Sequence, residues 1–203
     1  MKVAVIGAYG NGKTTLSKSL SAELGLPRVH ATPMALQQGA VRTSLEECTD
    51  LELVQLVARR LVERVNAEAA AGAGFVSDGS VLHEFVYAAT RYRYGLHPRE
   101  AVAEERSGLP KEAEIVERIS VEAGMYAAQT YRAFIYVPNE RPLVNEPPPI
   151  SEAFRDLLDG RMSAVVEGLG VPVIRVKGDE RQRLSLAVRL LGEIGAGHLE
   201  VGT

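Results

Sequence analysis

The sequence predicts an α/β fold in three layers, with a five-stranded parallel sheet covered by helices on both faces. Three observations carry this reading. Five short strands begin near residues 2, 28, 74, 133 and 172. Stretches with helical apolar periodicity separate them, so the strands run parallel through right-handed crossovers. The first strand also enters the first helix through the glycine-rich turn Gly7 to Thr15. In such a sheet ligands gather at the C-terminal ends of the strands.

The elements follow in order. Val3 to Ile6 is a buried strand, and Thr14 to Leu24 is a helix with Leu16, Leu20 and Leu24 on one face. Gly25 and Pro27 end that helix, and Arg28 to Ala31 is a short second strand. Thr32-Pro33 opens a short helix over Met34 to Gln38. A long helix runs from Thr49 to Ala71, with Leu53, Val54, Leu56, Val57, Leu61, Val62 and Val65 as its apolar stripe. Phe75 to Gly79 is a strand that emerges at an acidic residue, and Val81 to Tyr94 is helical. A polar, arginine-rich stretch extends from Arg91 to Gly108, and a helix spans Lys111 to Thr130. After the strand Phe134 to Val137, five prolines between residues 138 and 150 exclude a regular helix or a central strand, and predict an ordered but movable loop. Ser151 caps a helix to Leu169, Pro172 to Val176 is the last strand, and a helix closes the chain to Ile194. Residues 1–195 thus form a single domain with a lid segment at 138–165, and residues 196–203 are a frayed tail.

The turn Gly7-Ala8-Tyr9-Gly10-Asn11-Gly12-Lys13-Thr14-Thr15 fits G-x-x-x-x-G-K-[ST], and it lies between a strand and a helix start as a phosphate-binding P-loop must. Glycines 7, 10 and 12 let the backbone curl until successive N–H groups point inward at phosphate oxygens. The helix beginning at Lys13 adds the positive end of its dipole. Gly7, Tyr9, Gly10, Asn11, Gly12, Lys13, Thr14 and Thr15 are therefore the cofactor-binding residues for ATP. Lys13 reaches the β- and γ-phosphates, and the Thr14 hydroxyl ligates Mg²⁺. The fold expected around this loop is the three-layer P-loop NTPase fold.

Such a loop needs an acidic partner. Asp78 ends an apolar strand, whereas the strands at 134–137 and 173–176 end without a carboxylate. Asp78 is therefore the candidate for the Mg²⁺ shell and for taking the proton of a substrate hydroxyl. Transferred phosphoryl charge also needs cations. Arg91, Arg93, Arg141, Arg155 and Arg161 are the candidates, with Arg141 in the proline-rich loop and Arg155 on the next helix as the catalytic lid pair. His30, Arg42, His83 and Arg91 are the candidate substrate residues, and Gln37 and Gln38 lie on the same rim.

Composition bounds the function further. The chain has 203 residues, a net charge of -3 and one cysteine, Cys48. Nothing here suggests a general nucleic-acid grip, and a single cysteine excludes a disulfide framework and a cysteine-rich metal site. No apolar run reaches membrane-spanning length and no signal peptide is visible, so a cytoplasmic protein without membrane contact is expected. The apolar-striped helices either pack within the domain or form the face of a homodimer.

The P-loop, Asp78-Gly79-Ser80, Tyr136-Val137-Pro138 and Val176-Lys177-Gly178-Asp179-Glu180-Arg181 together resemble the AAA-domain ATPases related to the nicotinamide-riboside kinase domain, in the nucleoside and nucleotide kinase superfamily. The resemblance implies strand order 2-3-1-4-5, ATP with Mg²⁺, and transfer to a small-molecule hydroxyl or phosphate. Similar members carry an Asp-Arg pair after the third strand, and here Gly79 replaces that arginine. The leading expectation is thus a small-molecule kinase whose partner is its phosphoryl acceptor. The alternative is a switch NTPase acting through a protein. No Asn-Lys-x-Asp tetrad is present, which disfavours a GTPase.

Overall fold

The structure is a computed structural model, and it describes residues 1–30, 48–95, 105–144 and 150–197. Five parallel strands form one sheet in the order β2-β3-β1-β4-β5. They are β1 (Lys2–Ile6), β2 (Arg28–His30), β3 (Phe75–Asp78), β4 (Ala133–Tyr136) and β5 (Val173–Arg175). Six helices complete the described residues: α1 (Lys13–Leu24), α2 (Asp50–Ala70), α3 (Leu82–Tyr94), α4 (Lys111–Thr130), α5 (Glu152–Glu167) and α6 (Glu180–Gly195). The expected helix at 34–38 lies outside the described residues, as does most of the expected tail.

Strand periodicity divides the core in two. Ala4, Ile6, Phe75, Phe134 and Tyr136 face one layer, which α2, α3, α4 and α5 cover. Val3, Val5, Val76, Ile135 and Ile174 face the other, with Leu16 and Leu20 of α1 and Ala187, Leu191 and Ile194 of α6. The central strand β1 is buried from Val3 to Ile6, as a parallel strand covered on both faces must be. Among the described residues no helix is long and apolar enough to cross a membrane.

Local chemistry sets the helix starts. Thr49 caps α2 through a capping box with Glu52, and Ser151 caps α5 by accepting the Phe154 N–H. Two details depart from the sequence reading. The stripe of α2 does not include Val62, which is 57% exposed. Arg60, Arg64 and Glu68 continue its buried face instead, four residues apart, because polar partners wait for them on β3 and α3. The segment 138–165 contains the helix expected after Ser151. From Glu152 onward it is helix, and Phe154, Leu158 and Met162 anchor that helix in the core.

Candidate active site

β1 delivers the chain into the P-loop, and Gly7 makes the first turn at φ +139°. A Cβ there would stand 2.2 Å from the Val137 carbonyl oxygen, so no side chain fits between the loop and the end of β4. Gly10 and Gly12 also hold positive φ, and Gly12 is the N-cap of α1. Asn11 fastens the loop to the neighbouring strand, its Nδ2 donating to the Val137 carbonyl at 2.8 Å.

Lys13 Nζ donates to the Ala8 carbonyl at 2.7 Å, so the lysine folds back across the concave side of the loop. Burial lowers its pKa to about 8, opposed by the carboxylates of Asp78 and then Asp159, while Arg155 lowers it further. The Thr14 hydroxyl donates to Asp78 Oδ2 at 2.9 Å. That carboxylate oxygen also receives Arg28 Nη2 at 2.6 Å and lies 2.9 Å from His30 Nδ1. Arg28 is steadied by its Nε, which donates to Ser17 Oγ at 2.9 Å. The hydroxyl of Thr14 and the carboxylate of Asp78 are hard oxygen donors of the kind Mg²⁺ takes together with phosphate oxygens and water. Among the described residues no group of three or more His, Cys, Asp or Glu side chains could hold a metal ion on its own.

His83 bridges the two halves of the site. Its Nδ1 accepts the Ser80 N–H at 3.0 Å, and its Nε2 is 3.2 Å from the Gly7 carbonyl. An N–H donor facing Nδ1 fixes the neutral Nε2–H tautomer. Burial, then the charges of Lys13 and Arg64, hold its pKa well below the ordinary histidine value.

On the outer side of the loop two arginines converge on Asn11. Arg155, 3% exposed at its side chain, donates from Nε to the Tyr9 carbonyl at 2.9 Å, from Nη1 to the Arg141 carbonyl at 2.6 Å, and from Nη2 to Asn11 Oδ1. Arg183 of α6 donates to the Asn11 carbonyl at 2.8 Å and to Glu140 at 2.6 Å. Hydrogen bonding to Arg183 lowers the Glu140 carboxyl below its ordinary value. Leu143 of the proline-rich loop packs over Gly10, where a Cβ would stand 2.5 Å from its Cδ2. These groups enclose a cavity of about 250 Å³, lined by Gly10, Gly12, Thr15, Glu140, Arg155 and Arg183 among others.

The structure thus gathers Lys13, Thr14, Asp78, His30 and His83 at the sheet's C-terminal edge, with Arg155 across the loop. Arg141 joins them through its backbone carbonyl. Tyr9 is 46% exposed, and its carbonyl is what the site uses. Arg91 is fully buried well along α3, donating to Cys48 Sγ at 3.4 Å and standing over the Tyr87 ring. Both of these contacts lie in the helical layer. Arg42 lies outside the described residues. Sequence reasoning missed Arg28, Arg64, Glu140 and Arg183. Arg28 had a signal, since residues two apart on a strand share a face and His30 had been singled out. Arg183 had none, because its partners are a loop carbonyl and a carboxylate far away in sequence.

Fold and loop define a class, the P-loop proteins that bind nucleotide phosphates at a strand-to-helix turn. A family model described as an AAA domain, AAA_28, matches residues 2–183, and the chain belongs to that family. No curated protein matches the sequence. Among solved structures, a deoxyadenosine kinase from M. mycoides with bound dATP is similar at 14% identity and a TM-score of 0.60, covering 95% of this chain and 99% of its own. A NadR protein in complex with NAD and AMP-PNP is similar at 18% identity and a TM-score of 0.59, covering 98% of this chain and 50% of its own. At such identities the likeness is one of fold.

Proposed function

We propose that this protein is an ATP- and Mg²⁺-dependent phosphotransferase that moves a γ-phosphoryl group to a hydroxyl or phosphate of a nucleoside-like or other small metabolite. The observation that carries the reading is the contact of Thr14 with Asp78 beside Lys13. A hydroxyl, a carboxylate and an ammonium at one phosphate cradle are the parts phosphoryl transfer uses. The names of the similar structures, a deoxyadenosine kinase and a NadR protein bound to an ATP analogue, support a kinase with a nucleoside-like acceptor.

The loop's N–H groups and the α1 N-terminus bind the β- and γ-phosphates. Lys13 leaves the Ala8 carbonyl for the γ-phosphoryl oxygens and offsets charge there. Thr14 and Asp78 would hold Mg²⁺, which when bound neutralises charge on the β- and γ-phosphate oxygens. As the bond to the acceptor oxygen forms and the bond to the β-phosphate oxygen breaks, the acceptor's proton passes to the Asp78 carboxylate. Arg155 and the loop carrying Arg141 and Leu143 exclude water, which limits hydrolysis. His30, beside Asp78 and half exposed, faces the acceptor.

The test is ATP turnover with and without a panel of nucleosides, nucleotides and hydroxylated metabolites. Acceptor-dependent ADP formation with a phosphorylated product is expected. Turnover stimulated only by an added protein would instead assign a switch NTPase.

A further inference from the structure

We infer that Arg64 and Glu68 of α2 are positioning residues for Asp78, so that the metal- and proton-handling carboxylate is aimed from a helix outside the P-loop. The inference rests on the reading of Asp78 given above.

Both side chains are buried, Arg64 at 3% and Glu68 at 1% exposure, on the inward face of α2 that carries Leu53, Leu56 and Val57 and then Arg60. Buried charge is retained only where it is paired and hydrogen-bonded. Here the partners are Glu84 of α3, 3.7 Å from Arg64 Nη2, and the last residues of β3. Arg64 Nη1 donates to Ser77 Oγ at 3.1 Å and to the Asp78 carbonyl at 3.2 Å. Ser77 Oγ donates in turn to Glu68 Oε1 at 2.8 Å. Glu68 is held by two tyrosine hydroxyls, Tyr131 at 2.7 Å and Tyr126 at 2.9 Å. Tyr131 also accepts the Val81 N–H at 3.4 Å, so the same relay reaches both sides of Asp78-Gly79-Ser80.

Gly79 makes room for this arrangement. It sits at φ +92°, and a Cβ on it would stand 3.0 Å from Arg64 Nη2. The guanidinium therefore occupies the space beside Gly79 that a side chain would take. With the carbonyl of Asp78 and the hydroxyl of Ser77 both bound to Arg64 Nη1, the peptide between Asp78 and Gly79 cannot rotate independently of the Ser77 side chain. The Asp78 carboxylate is thereby kept toward Thr14. Both bonds leave from Nη1, while Nη2 stands 3.7 Å from Glu84 Oε1, and a single ammonium cannot serve both directions as this fork does.

The experiment compares Arg64→Lys, Ser77→Ala and Asp78→Asn with the natural protein. ATP affinity is titrated in Mg²⁺ and again in EDTA, and turnover is measured with an acceptor. Thermal unfolding confirms that each variant is folded, and Ser77→Ala, which removes only a hydroxyl, serves if Arg64→Lys does not fold. Arg64→Lys and Ser77→Ala should lose about ten- to hundredfold in turnover, the range typical of residues that orient a metal-holding group. They should also lose most of the Mg²⁺ enhancement of ATP affinity, while affinity in EDTA stays within about twofold. Equal losses in Mg²⁺ and in EDTA, or unchanged turnover in both variants, would overturn the positioning role. If Asp78→Asn itself keeps turnover and Mg²⁺ enhancement, the reading of Asp78 fails, whatever the α2 variants do.

Discussion

The Thr14 hydroxyl donates to Asp78 Oδ2 at 2.9 Å, a bond between residues 64 apart that ties the helix following the P-loop to the end of β3. Because β1 and β3 are paired in register with Val5 opposite Asp78, the sheet itself brings the carboxylate to the loop. Asp78→Asn keeps that geometry and removes the charge. ATP binding without Mg²⁺ should survive in this variant, while turnover falls by about 10²- to 10⁴-fold, the range of a lost general base. Titration and a turnover assay on one preparation check both halves.

Lys13 should make nucleotide binding fall at alkaline pH. Burial brings its ammonium to about 8 from the ordinary 10.5. Bound phosphate favours the charged form, so affinity should be flat near pH 7 and fall by up to about tenfold per unit above pH 8. The stability effect has the opposite sign. Between about 8 and 10.5 the unfolded chain binds more protons at this residue, so its contribution to stability rises with pH across that window. Below pH 8 both states are charged and the cost of burial is constant. ATP titrations from pH 7 to 9.5 in one buffer series test this, and a flat affinity to pH 9.5 would contradict it.

Two glycines should respond oppositely to alanine. At Gly7 the backbone is at φ +139° and the Val137 oxygen stands 2.2 Å from the new Cβ. Gly7→Ala should cost about 2–4 kcal/mol, a fall in Tm of roughly 5–10 °C for a chain of this size, and should abolish ATP binding. Gly160 lies within α5, where nothing approaches within 4 Å, and Gly160→Ala should raise Tm by roughly 1–3 °C. Calorimetry of the pair compares them directly.

Arg155 should matter to both fold and turnover. Its guanidinium holds the Tyr9 and Arg141 carbonyls and the Asn11 side chain, so Arg155→Met leaves several polar groups without partners. A loss of about 2–4 kcal/mol and weaker ATP binding are expected. Arg155→Lys keeps the charge but not the fork, and should recover stability only in part. Denaturant unfolding and ATP titration of both variants provide the check.

Much of this was legible in the sequence. The P-loop spacing sets Gly7 through Thr15, while continuous apolar runs locate β1, β3, β4 and β5, and the 3.6-residue period the described helices, to within about two residues. Asp78 could be found because it alone ends an interior apolar run with a carboxylate. The rest was hidden for physical reasons. The inward polar stripe of α2 reads as solvated charge unless Ser77 and Glu84 are known to lie against it. His83 suggested a substrate residue, whereas both of its ring nitrogens meet backbone groups, Ser80 N–H and the Gly7 carbonyl. Arg155 was visible as a cation, yet its anchoring to the loop depends on how α5 packs, which local periodicity does not encode.

The central claim is that the P-loop serves acceptor-dependent phosphoryl transfer. The most direct test is product formation from ATP and an acceptor panel by the natural protein and by Lys13→Ala, each shown to be folded. The predicted result is acceptor-dependent product that falls by about 10²- to 10³-fold or more in Lys13→Ala. An active Lys13→Ala protein, or ATP turnover indifferent to every acceptor, would contradict it.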